Sequence, residues 1–376
     1  MSRVGVLGGG QLGRMMGLAG LPLGMEFVFL DPSAEACAGQ LGELLQAGFS
    51  DIEAARTIAG MVDVATFDFE NVPREAALAL AEIKPLFPPP AALGACQDRL
   101  EEKRILTSLG IRVAPNHAVS SRTDLLDGLD QLGMPSVLKT RRMGYDGKGQ
   151  VVLRDQEDLE RAWQTLGDAE LILEKFIPFD AECSLVAVRG QDRETRYWPL
   201  TRNVHFEGIL MLSLADDFDA GLQAQAEAIM QRVLDYFDYV GVLTLEFFLQ
   251  DGQLLVNEMA PRVHNSGHWT IDGAETSQFE NHLRAIAGLP LGGTSATGQS
   301  LMFNWIGELP DAQELLSIPG LHWHDYGKSA RPGRKLGHAT LTANSRVALV
   351  DRANRAATLA GGRFTALLKK LPGFVT

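Results

Sequence analysis

The chain has 376 residues, of which 45% are hydrophobic and 22% are charged, and it carries a formal net charge of −13. This length predicts two or three domains that each bury their own core, and this composition excludes a wholly disordered chain. The acidic balance excludes broad, non-specific binding of nucleic acid, so any cluster of basic residues is expected to serve one small anion.

The first 90 residues alternate short strand-like runs with helical stretches, which is the pattern of a parallel α/β domain. Strands are predicted at 4–7, 27–30 and 64–67, and a helix at 11–19. The run Phe87-Pro88-Pro89-Pro90 predicts the end of this domain, because consecutive prolines continue neither a helix nor a central strand.

A glycine-rich loop, Gly8-Gly9-Gly10-Gln11-Leu12-Gly13, separates the first strand from the first helix, and Asp31 ends the next strand. The spacing fits the fingerprint of dinucleotide-binding domains and so suggests a nicotinamide cofactor. Glycines at a helix N-terminus serve equally for another polar ligand or for a tight turn with no ligand. The loop alone leaves these three interpretations open.

The next region is predicted to contain one charged helix at 91–109 and a strand at 135–139, followed by a glycine-rich loop at 140–150. Lys139 closes the strand, and Lys148 lies among Gly144, Gly147 and Gly149. Backbone freedom combined with a cation indicates a lid that closes over phosphate groups. A β-hairpin turn with an incidental charge is the alternative.

A further strand is predicted at 171–174, with Glu174 at its end and Glu182 eight residues later. The strand backbone would read the edge of an adenine, and a carboxylate would accept both ribose hydroxyls. The alternative is structural, because strands often end in glutamate. An amphipathic helix is then predicted at 220–237.

Two strand-like runs at 240–249 and 254–259 predict a hairpin that carries Glu246 and Glu258. Two carboxylates beside a triphosphate are suited to magnesium, which prefers oxygen ligands. The alternative is two surface glutamates. A strict two-residue turn at Asp251-Gly252 would send the two side chains to opposite faces, so a shared metal predicts an odd-length loop or a bulge at Gly252.

Beyond residue 296 the sequence is more β-like and forms a small third module. Four cations occur there within eight residues, at Lys328, Arg331, Arg334 and Lys335. In an acidic chain this cluster predicts a pocket for a single phosphate group. A solvated basic turn is the alternative.

Taken together, these motifs resemble the ATP-grasp superfamily and, within it, the 5-(carboxyamino)imidazole ribonucleotide synthases. The matching segments are 8–15, 144–150, 257–270 and 331–338. The resemblance implies an α/β fold of three parts. These are an N-terminal parallel α/β domain at 1–90, an ATP-grasp domain at 91–295 that includes the lid, and a small β-rich domain at 296–376.

The resemblance also implies ATP-dependent carboxylation of the amine of aminoimidazole ribonucleotide by bicarbonate, through carboxyphosphate, with ATP and Mg²⁺ as cofactors. The residues it assigns to ATP are Arg99, Lys139, Gly144, Tyr145, Asp146, Gly147, Lys148, Gly149, Gln150, Glu174, Lys175, Phe176, Ile177, Glu182, His205, Asn257 and Glu258. The catalytic residues it implies are Tyr145, Asp146, Lys148, Arg262, His264 and Asn265. It assigns the metal to Glu246 and Glu258, and the ribonucleotide to Gln11, Leu12, Glu70, Lys328, Arg331, Arg334 and Lys335.

One departure from the wider superfamily concerns the residues after Glu258. Many members have Asn two positions later and Arg four positions later, and this chain has Ala260 and Arg262. The cationic clamp for an oxyanion is retained, whereas the third protein ligand of the metal is in doubt.

Four alternative functions stay open at this point. Two are ATP-grasp ligases, formate-dependent glycinamide ribonucleotide transformylase and biotin carboxylase. The others are a nicotinamide oxidoreductase that uses the 8–13 loop and a non-catalytic nucleotide-binding protein. Small-molecule substrates are the expected partners, with neither nucleic acid nor membrane, and the resemblance suggests a homodimer. Three widely spaced cysteines and the lack of a signal peptide or apolar span predict a cytoplasmic protein.

Overall fold

A computed structural model describes residues 2–144, 147–215 and 218–374. Its strands form three sheets. The strands are β1 (Arg3–Leu7), β2 (Glu26–Asp31), β3 (Glu43–Gln46), β4 (Val64–Phe67), β5 (Asn116–Val119), β6 (Ser136–Thr140), β7 (Gln150–Leu153), β8 (Leu171–Lys175), β9 (Ala181–Arg189), β10 (Thr195–Tyr197), β11 (Thr201–Phe206), β12 (Ile209–Ala215), β13 (Gly241–Gln250), β14 (Gln253–Ala260), β15 (Gln299–Ile306), β16 (Leu321–Asp325) and β17 (Lys335–Ala343).

The helices cover the faces of these sheets. They are α1 (Gln11–Gly20), α2 (Ile52–Met61), α3 (Arg74–Ala81), α4 (Pro90–Cys96), α5 (Arg99–Ser108), α6 (Arg122–Leu132), α7 (Gln156–Leu166), α8 (Ala220–Tyr236), α9 (Thr270–Gly273), α10 (Gln278–Ile286), α11 (Ala312–Leu316), α12 (Arg346–Ala360) and α13 (Gly362–Leu368). Among the residues that the structure describes, no helix combines the length and the apolar character needed to cross a bilayer.

The predicted α/β fold is confirmed. The N-terminal strands form a parallel sheet in the order β3-β2-β1-β4, with apolar clusters on both faces. Strand β3 was not predicted, because its four residues are mostly half-exposed and give no clear apolar run. The prediction of one helix at 91–109 is wrong, because this segment forms two helices, α4 and α5. The backbone of Asp98 is extended, and its side chain caps α5 by accepting a hydrogen bond from the Leu100 amide.

Two antiparallel sheets follow the N-terminal domain. The smaller has the order β5-β8-β6-β7, and the larger runs β14-β13-β9-β11-β12-β15-β17-β16, with β10 paired to β9. The three C-terminal strands continue the large sheet, since β15 pairs with β12. Three helices, α11 to α13, accompany these strands and were not predicted from the sequence.

The β13–β14 hairpin corrects one prediction and confirms another. Its turn is tight, with Gln250 opposite Gln253 and positive φ angles at Asp251 (52°) and Gly252 (71°), so the expected irregularity at Gly252 is wrong. The bulge lies further along, at Asn257, where the register shifts. This shift sets Glu246 directly opposite Glu258, so the two carboxylates share a face of the sheet as predicted.

A buried histidine joins the N-terminal sheet to the large sheet. His282 on α10 accepts the Val242 amide at Nδ1 (3.1 Å), and its Nε2 lies 2.8 Å from Thr66 Oγ1. Because Nδ1 accepts a hydrogen bond, Nε2 carries the ring hydrogen and donates to the hydroxyl. Burial lowers the pKa of His282 to about 3, which keeps the ring neutral.

We expect this histidine to make folding stability depend on pH. The unfolded chain takes up a proton on His282 below about pH 6.5 and the folded chain does not, so stability is lost as pH falls from 6.5 towards 3. Between pH 7.5 and 5.5 the loss through His282 should be about 1 kcal/mol. Thermal unfolding across this range should show a shallower slope for His282→Gln than for the parent. Leu283→Ala, a buried neighbour, should lower stability without changing the slope. Equal slopes for parent and His282→Gln would contradict this account.

Candidate active site

The glycine-rich loop at 140–150 bridges the two antiparallel sheets. A Cβ atom on Gly144 would lie 3.0 Å from Arg99 Nη1, and one on Gly147 would lie 2.9 Å from the carbonyl oxygen of Glu207 in the β11–β12 turn. Gly147 also has a positive φ of 75°, so both space and conformation require glycine there. Lys148 is exposed on this loop. Tyr145 and Asp146, predicted to be catalytic, lie outside the described residues.

A buried ion-pair cluster joins β6, which leads into the 140–150 loop, to β8 and α5. Lys139 Nζ on β6 lies 2.8 Å from one oxygen of Glu174, and Lys103 Nζ on α5 lies 3.8 Å from the other. Lys103 also donates a hydrogen bond to the carbonyl of Asn257 at the β14 bulge. Burial alone would raise the pKa of Glu174, but the two lysines lower it to about 2. Glu174 is therefore a charged anchor that holds Lys139 near the end of β6, where the 140–150 loop begins.

The segment that follows β8 borders a cavity. The cavity has a volume of about 430 Å³ and is lined by Arg112, Val113, Pro115, Lys175, Phe176, Ile177, Pro178, Gln250 and Leu255. Ile177 packs against Ala114 and Leu255. The three residues Lys175 to Ile177, which the resemblance assigns to ATP, thus lie together on one wall of a cleft with apolar surfaces.

The predicted carboxylates lie on one face of the large sheet, each beside a basic group. Glu182 lies 3.0 Å from His205 Nδ1, and Glu246 lies 3.1 Å from His264 Nε2. Burial alone would raise the pKa of Glu246, but His264, His205 and Lys335 lower it to about 2. Burial would lower the pKa of His205, but Glu182 raises it above its ordinary value.

Glu258, opposite Glu246, is the most accessible of these acids. Its side chain is 46% exposed, and its nearest cation is Arg99 Nη2 at 3.8 Å. Two opposed carboxylates, one open to solvent, offer the oxygen donors that magnesium prefers, so the residues present fit this ion.

Arg262 and Glu70 form an ion pair, although the two were predicted to act on different reactants. Arg262 Nε donates to the Glu70 carboxylate, and Nη1 donates to the carbonyl of Val263 at 3.0 Å. Burial would raise the pKa of Glu70, but Arg262 lowers it to about 2. This pair joins the end of the N-terminal sheet to the segment after β14, and it leaves one guanidinium nitrogen without an assigned hydrogen bond among the described residues.

A buried chain of hydroxyl and amide groups fixes the orientation of His264. His264 Nδ1 lies 2.9 Å from Ser266 Oγ, and Ser266 continues to Ser184 (2.8 Å), Asn203 and Ser213. With Nδ1 held by Ser266, Nε2 faces Glu246. The sequence analysis did not find this chain, because its members come from three separate strands and one loop.

Asn265, predicted to be catalytic, is 8% exposed, and neither its Oδ1 nor its Nδ2 has a hydrogen-bond partner within the described ranges. An unpaired buried amide is costly, so a ligand or a water molecule would be needed to satisfy it.

Two aspartates fill the N-terminal glycine loop. Asp31 Oδ2 accepts the Gly9 amide at 2.9 Å, and Asp68 Oδ2 accepts the Gly10 amide at 2.7 Å. A Cβ on Gly8 would lie 1.6 Å from Asp68 Oδ1, so a residue with a side chain would clash at this position. Burial raises the pKa of Asp68 to about 6. The amides that would hold a dinucleotide pyrophosphate are already occupied, so the nicotinamide alternative is not supported.

The predicted ribonucleotide residues are only partly brought together. Lys328 donates to Gln11, and burial lowers the pKa of Lys328. Leu12 packs into the apolar core, so only its backbone is available to a ligand. Arg334 Nη1 binds the backbone and hydroxyl oxygens of Ser329 (3.0 and 2.8 Å).

The other two cations of this cluster differ in exposure. Arg331 is exposed. Lys335 begins β17, and its charge acts on Glu246. Besides burial, the nearby charges of Arg334 and Lys335 lower the pKa of Lys328, so these three cations lie near one another.

Sequence reasoning missed two buried groups on α5. Besides Lys103, Glu102 is buried, accepts the Met259 amide at 2.6 Å, and has a pKa that burial raises to about 7. A signal was present in the run from Asp98 to Lys103, because Asp98 and Glu102, and likewise Arg99 and Lys103, are four residues apart and share a helix face.

Comparison with known proteins covers nearly all of the chain. Residues 1–97 match the ribonucleotide synthetase preATP-grasp domain, 104–279 the ATP-grasp domain, and 300–352 the phosphoribosylaminoimidazole carboxylase C-terminal domain. The chain is 52% identical over 350 residues to the N5-carboxyaminoimidazole ribonucleotide synthase of Pseudomonas aeruginosa, covering 93% of this chain and 97% of that relative.

Solved structures are also similar to this chain over nearly its whole length. The N5-carboxyaminoimidazole ribonucleotide synthetase of Thermus thermophilus has a TM-score of 0.92 and 52% identity, covering 95% of this chain and 98% of that one. The N5-carboxyaminoimidazole synthase of Aspergillus clavatus, in complex with ADP and 5-aminoimidazole ribonucleotide, has a TM-score of 0.89 and 32% identity, covering 96% and 98%.

Proposed function

This chain belongs to the N5-carboxyaminoimidazole ribonucleotide synthase family, and we propose the residue roles and the carbon source by which it carries out that reaction. It is an ADP-forming ATP-grasp ligase of purine biosynthesis. The substrate that we propose for carboxylation of the 5-aminoimidazole ribonucleotide amine is bicarbonate. One bicarbonate oxygen attacks the γ-phosphorus of ATP and releases ADP. The amine then attacks the carbon of the resulting carboxyphosphate, phosphate leaves, and the nitrogen loses a proton.

ATP binds between the two antiparallel sheets in this proposal. Lys139, held by Glu174, and Lys148 on the lid neutralise phosphate oxygens, and Gly144, Gly147, Gly149 and Gln150 cover them. The backbone of Lys175 to Ile177 reads the adenine. Glu182, with His205 beside it, accepts the ribose hydroxyls. The buried ion pairs support these roles because they fix each charged group before ATP arrives.

Glu246 and Glu258 would hold Mg²⁺, with Asn257 beside them at the bulge. When bound, the ion neutralises negative charge on the phosphate groups. Their direct opposition across β13 and β14 is the single observation that most strongly supports the proposal, because the bulge at Asn257 places both carboxylates on one face. Ala260 supplies no oxygen, so water or phosphate completes the coordination.

Three side chains handle the reacting groups. Arg262 keeps a guanidinium edge for the carboxyl oxygens and stabilises the charge that develops on them. The unpaired amide of Asn265 hydrogen-bonds the same reactant. His264, oriented by Ser266, holds Glu246 in place through Nε2. Tyr145 and Asp146 remain sequence-based candidates for positioning the amine.

The ribonucleotide is proposed to lie between the N-terminal loop and the C-terminal strands. Gln11, the backbone of Leu12 and Glu70 approach its base and ribose. Its phosphate contacts the cations Lys328, Arg331, Arg334 and Lys335. The Gln11–Lys328 hydrogen bond supports this placement, since it joins the two walls of the site.

The function is tested by phosphate release from ATP. With bicarbonate, release should depend on aminoimidazole ribonucleotide. If glycinamide ribonucleotide with formate stimulates release and aminoimidazole ribonucleotide does not, the chain is a transformylase. Isotope from labelled bicarbonate should appear in the acid-labile product.

We expect Arg334→Ala to raise the KM for aminoimidazole ribonucleotide about 10- to 100-fold, because a charge-assisted contact is worth about 1.5–3 kcal/mol. The KM for ATP should change little. Arg355→Ala, an exposed arginine on α12, is the matched control. An equal loss of affinity for both substrates would show that Arg334 is no dedicated phosphate ligand.

Three further predictions belong to the same proposal. We place the domain boundaries near residues 90 and 295. The first lies just before the end of the matched segment 1–97, and the second lies between the matched segments 104–279 and 300–352, although the large sheet continues across it. We also propose a homodimer in the cytoplasm. Size-exclusion chromatography with light scattering tests the oligomeric state.

A further inference from the structure

Several potential metal ligands converge between the C-terminal strands and helix α9, outside the residues assigned above to ATP, magnesium or ribonucleotide. Asp272, His324 and His338 each contribute one ligand atom within 4.8 Å of the others. His324 Nε2 lies 2.8 Å from one Asp272 oxygen, and His322 Nδ1 lies 3.7 Å from the other. One carboxylate thus lies beside imidazoles from two adjacent strands.

Strand geometry puts these imidazoles on a single face. His322 and His324 are two residues apart on β16, so their side chains point the same way. The register sets His324 directly opposite His338 on β17. Trp323, between the two histidines, stacks on Trp305 instead. Three imidazoles and a carboxylate are therefore available without any change of strand register.

His338 has a buried nitrogen that nothing within the described residues satisfies. Its ring is fully buried, Nδ1 lies 2.7 Å from Tyr326 Oη, and Nε2 has no hydrogen-bond partner among those residues. Such an atom is costly to bury. An ion at Nε2 would satisfy it, while the Tyr326 hydroxyl would fix the ring through Nδ1, as outer partners of metal-bound histidines do.

An entry path reaches the cluster. His324 lines a cavity of about 420 Å³ between α1 and α10, and Glu275 and Glu280 contribute to the same wall. Glu280 is paired with Arg284, so Glu275 is the acid on this wall that would favour the approach of a cation.

We propose that Asp272, His324 and His338, with His322 as fourth ligand, bind a divalent cation of the Zn²⁺ type. Imidazole with one carboxylate suits Zn²⁺, whereas Mg²⁺ keeps to oxygen donors. The rings of His324 and His338 now stack with centroids 4.4 Å apart. Ligand nitrogens around a tetrahedral ion lie about 3.4 Å apart, so binding turns the His324 ring out of this stack. Its side chain is 24% exposed, which leaves room for that rotation.

The ion would cross-link two parts of the protein. Asp272 follows the segment that carries Arg262 and His264, and His338 is three residues after Lys335 on β17. A bound ion would therefore hold the C-terminal strands against the catalytic segment and stabilise the whole enzyme.

The test uses the full chain, which is stripped of metal with a chelator and then reloaded with Zn²⁺ or Co²⁺. Zn²⁺ content after gel filtration, and the visible spectrum of the Co²⁺ form, are measured for the parent, His324→Ala and Asp272→Asn. We expect one ion per chain and a tetrahedral Co²⁺ spectrum in the parent, and neither in the two variants. His117→Ala, a partly buried histidine on β5, is the matched control and should bind like the parent.

A second pair of measurements separates this site from the magnesium site. Glu246→Gln/Glu258→Gln should retain Zn²⁺, and chelation should lower the Tm of the parent but not that of His324→Ala. Equal Zn²⁺ content in the parent and His324→Ala, loss of Zn²⁺ from the Glu246/Glu258 variant alone, or no retained ion in the parent would each overturn the proposal. None of these outcomes depends on the carboxylation reaction.

Discussion

Glu258→Gln should lower kcat about 10³-fold while the protein stays folded. The substitution removes a negative oxygen donor from the proposed magnesium site, and such a contribution is worth several kcal/mol, where about 4 kcal/mol corresponds to 10³ in rate. Its side chain is 46% exposed, so the fold should tolerate the amide. Initial rates measured over a range of Mg²⁺ concentrations should show that excess Mg²⁺ partly restores activity.

Glu246→Gln should have a similar effect on kcat with a second consequence. The substitution removes the partner of His264 Nε2. His264→Ala should therefore lower kcat in the parent but cause no further loss in the double variant Glu246→Gln/His264→Ala. Glu101→Gln, an exposed acid on α5, serves as the control and should turn over like the parent. If Glu258→Gln matched this control at every Mg²⁺ concentration, the two opposed carboxylates would not form a metal site.

Most of the fold could be predicted from the sequence, because the local patterns of apolar residues are strong. The apolar runs around Val4, Val64 and Leu171 predicted strands that the structure confirms. The wrong predictions concern segments whose local structure depends on tertiary contacts. The single helix at 91–109 breaks because Asp98 turns out to bind Arg141 and Arg142, partners more than forty residues away. Aspartate is a common N-cap of helices, but the local sequence does not show these two distant partners.

The candidate site shows the same division. Motif spacing identified Lys139, Glu246 and Glu258, since these residues lie in distinctive segments. It also predicted correctly that the two hairpin acids face each other. It placed the irregularity at Gly252 instead of Asn257, because the bulge depends on the neighbouring helix, whose Lys103 binds the Asn257 carbonyl.

The glycine pattern at 8–13 was the least informative of the sequence motifs for predicting a ligand. The 8–13 loop fits a dinucleotide fingerprint, and only the positions of Asp31 and Asp68 reveal that its amides are occupied. Asp68 follows a different strand from the loop that it fills, so its role is set by the order of the parallel sheet. A motif thus reports what backbone geometry is possible, and the tertiary structure decides which group uses it.

Lys103→Met should destabilise the protein by about 3 kcal/mol, the low end of what is observed when one partner of a buried ion pair is removed. Lys103 and Glu174 are each almost fully buried. Without Lys103, Glu174 keeps only Lys139, and the Asn257 carbonyl loses its donor. Urea unfolding and Tm measurements should both report the loss, and Lys369→Met, at an exposed site, should leave stability unchanged.

A double-mutant cycle separates the charge from the packing. In Lys103→Met/Glu174→Gln the buried negative charge is gone together with its partner, so a large part of the lost stability should return. If the loss of stability in the double variant equalled the sum of the losses in Lys103→Met and Glu174→Gln, the two charges would be independent. Recovery would instead mean that Lys103 acts chiefly by compensating Glu174. ATP affinity should then recover less than stability does, because Lys139 would still lack the carboxylate that anchors it.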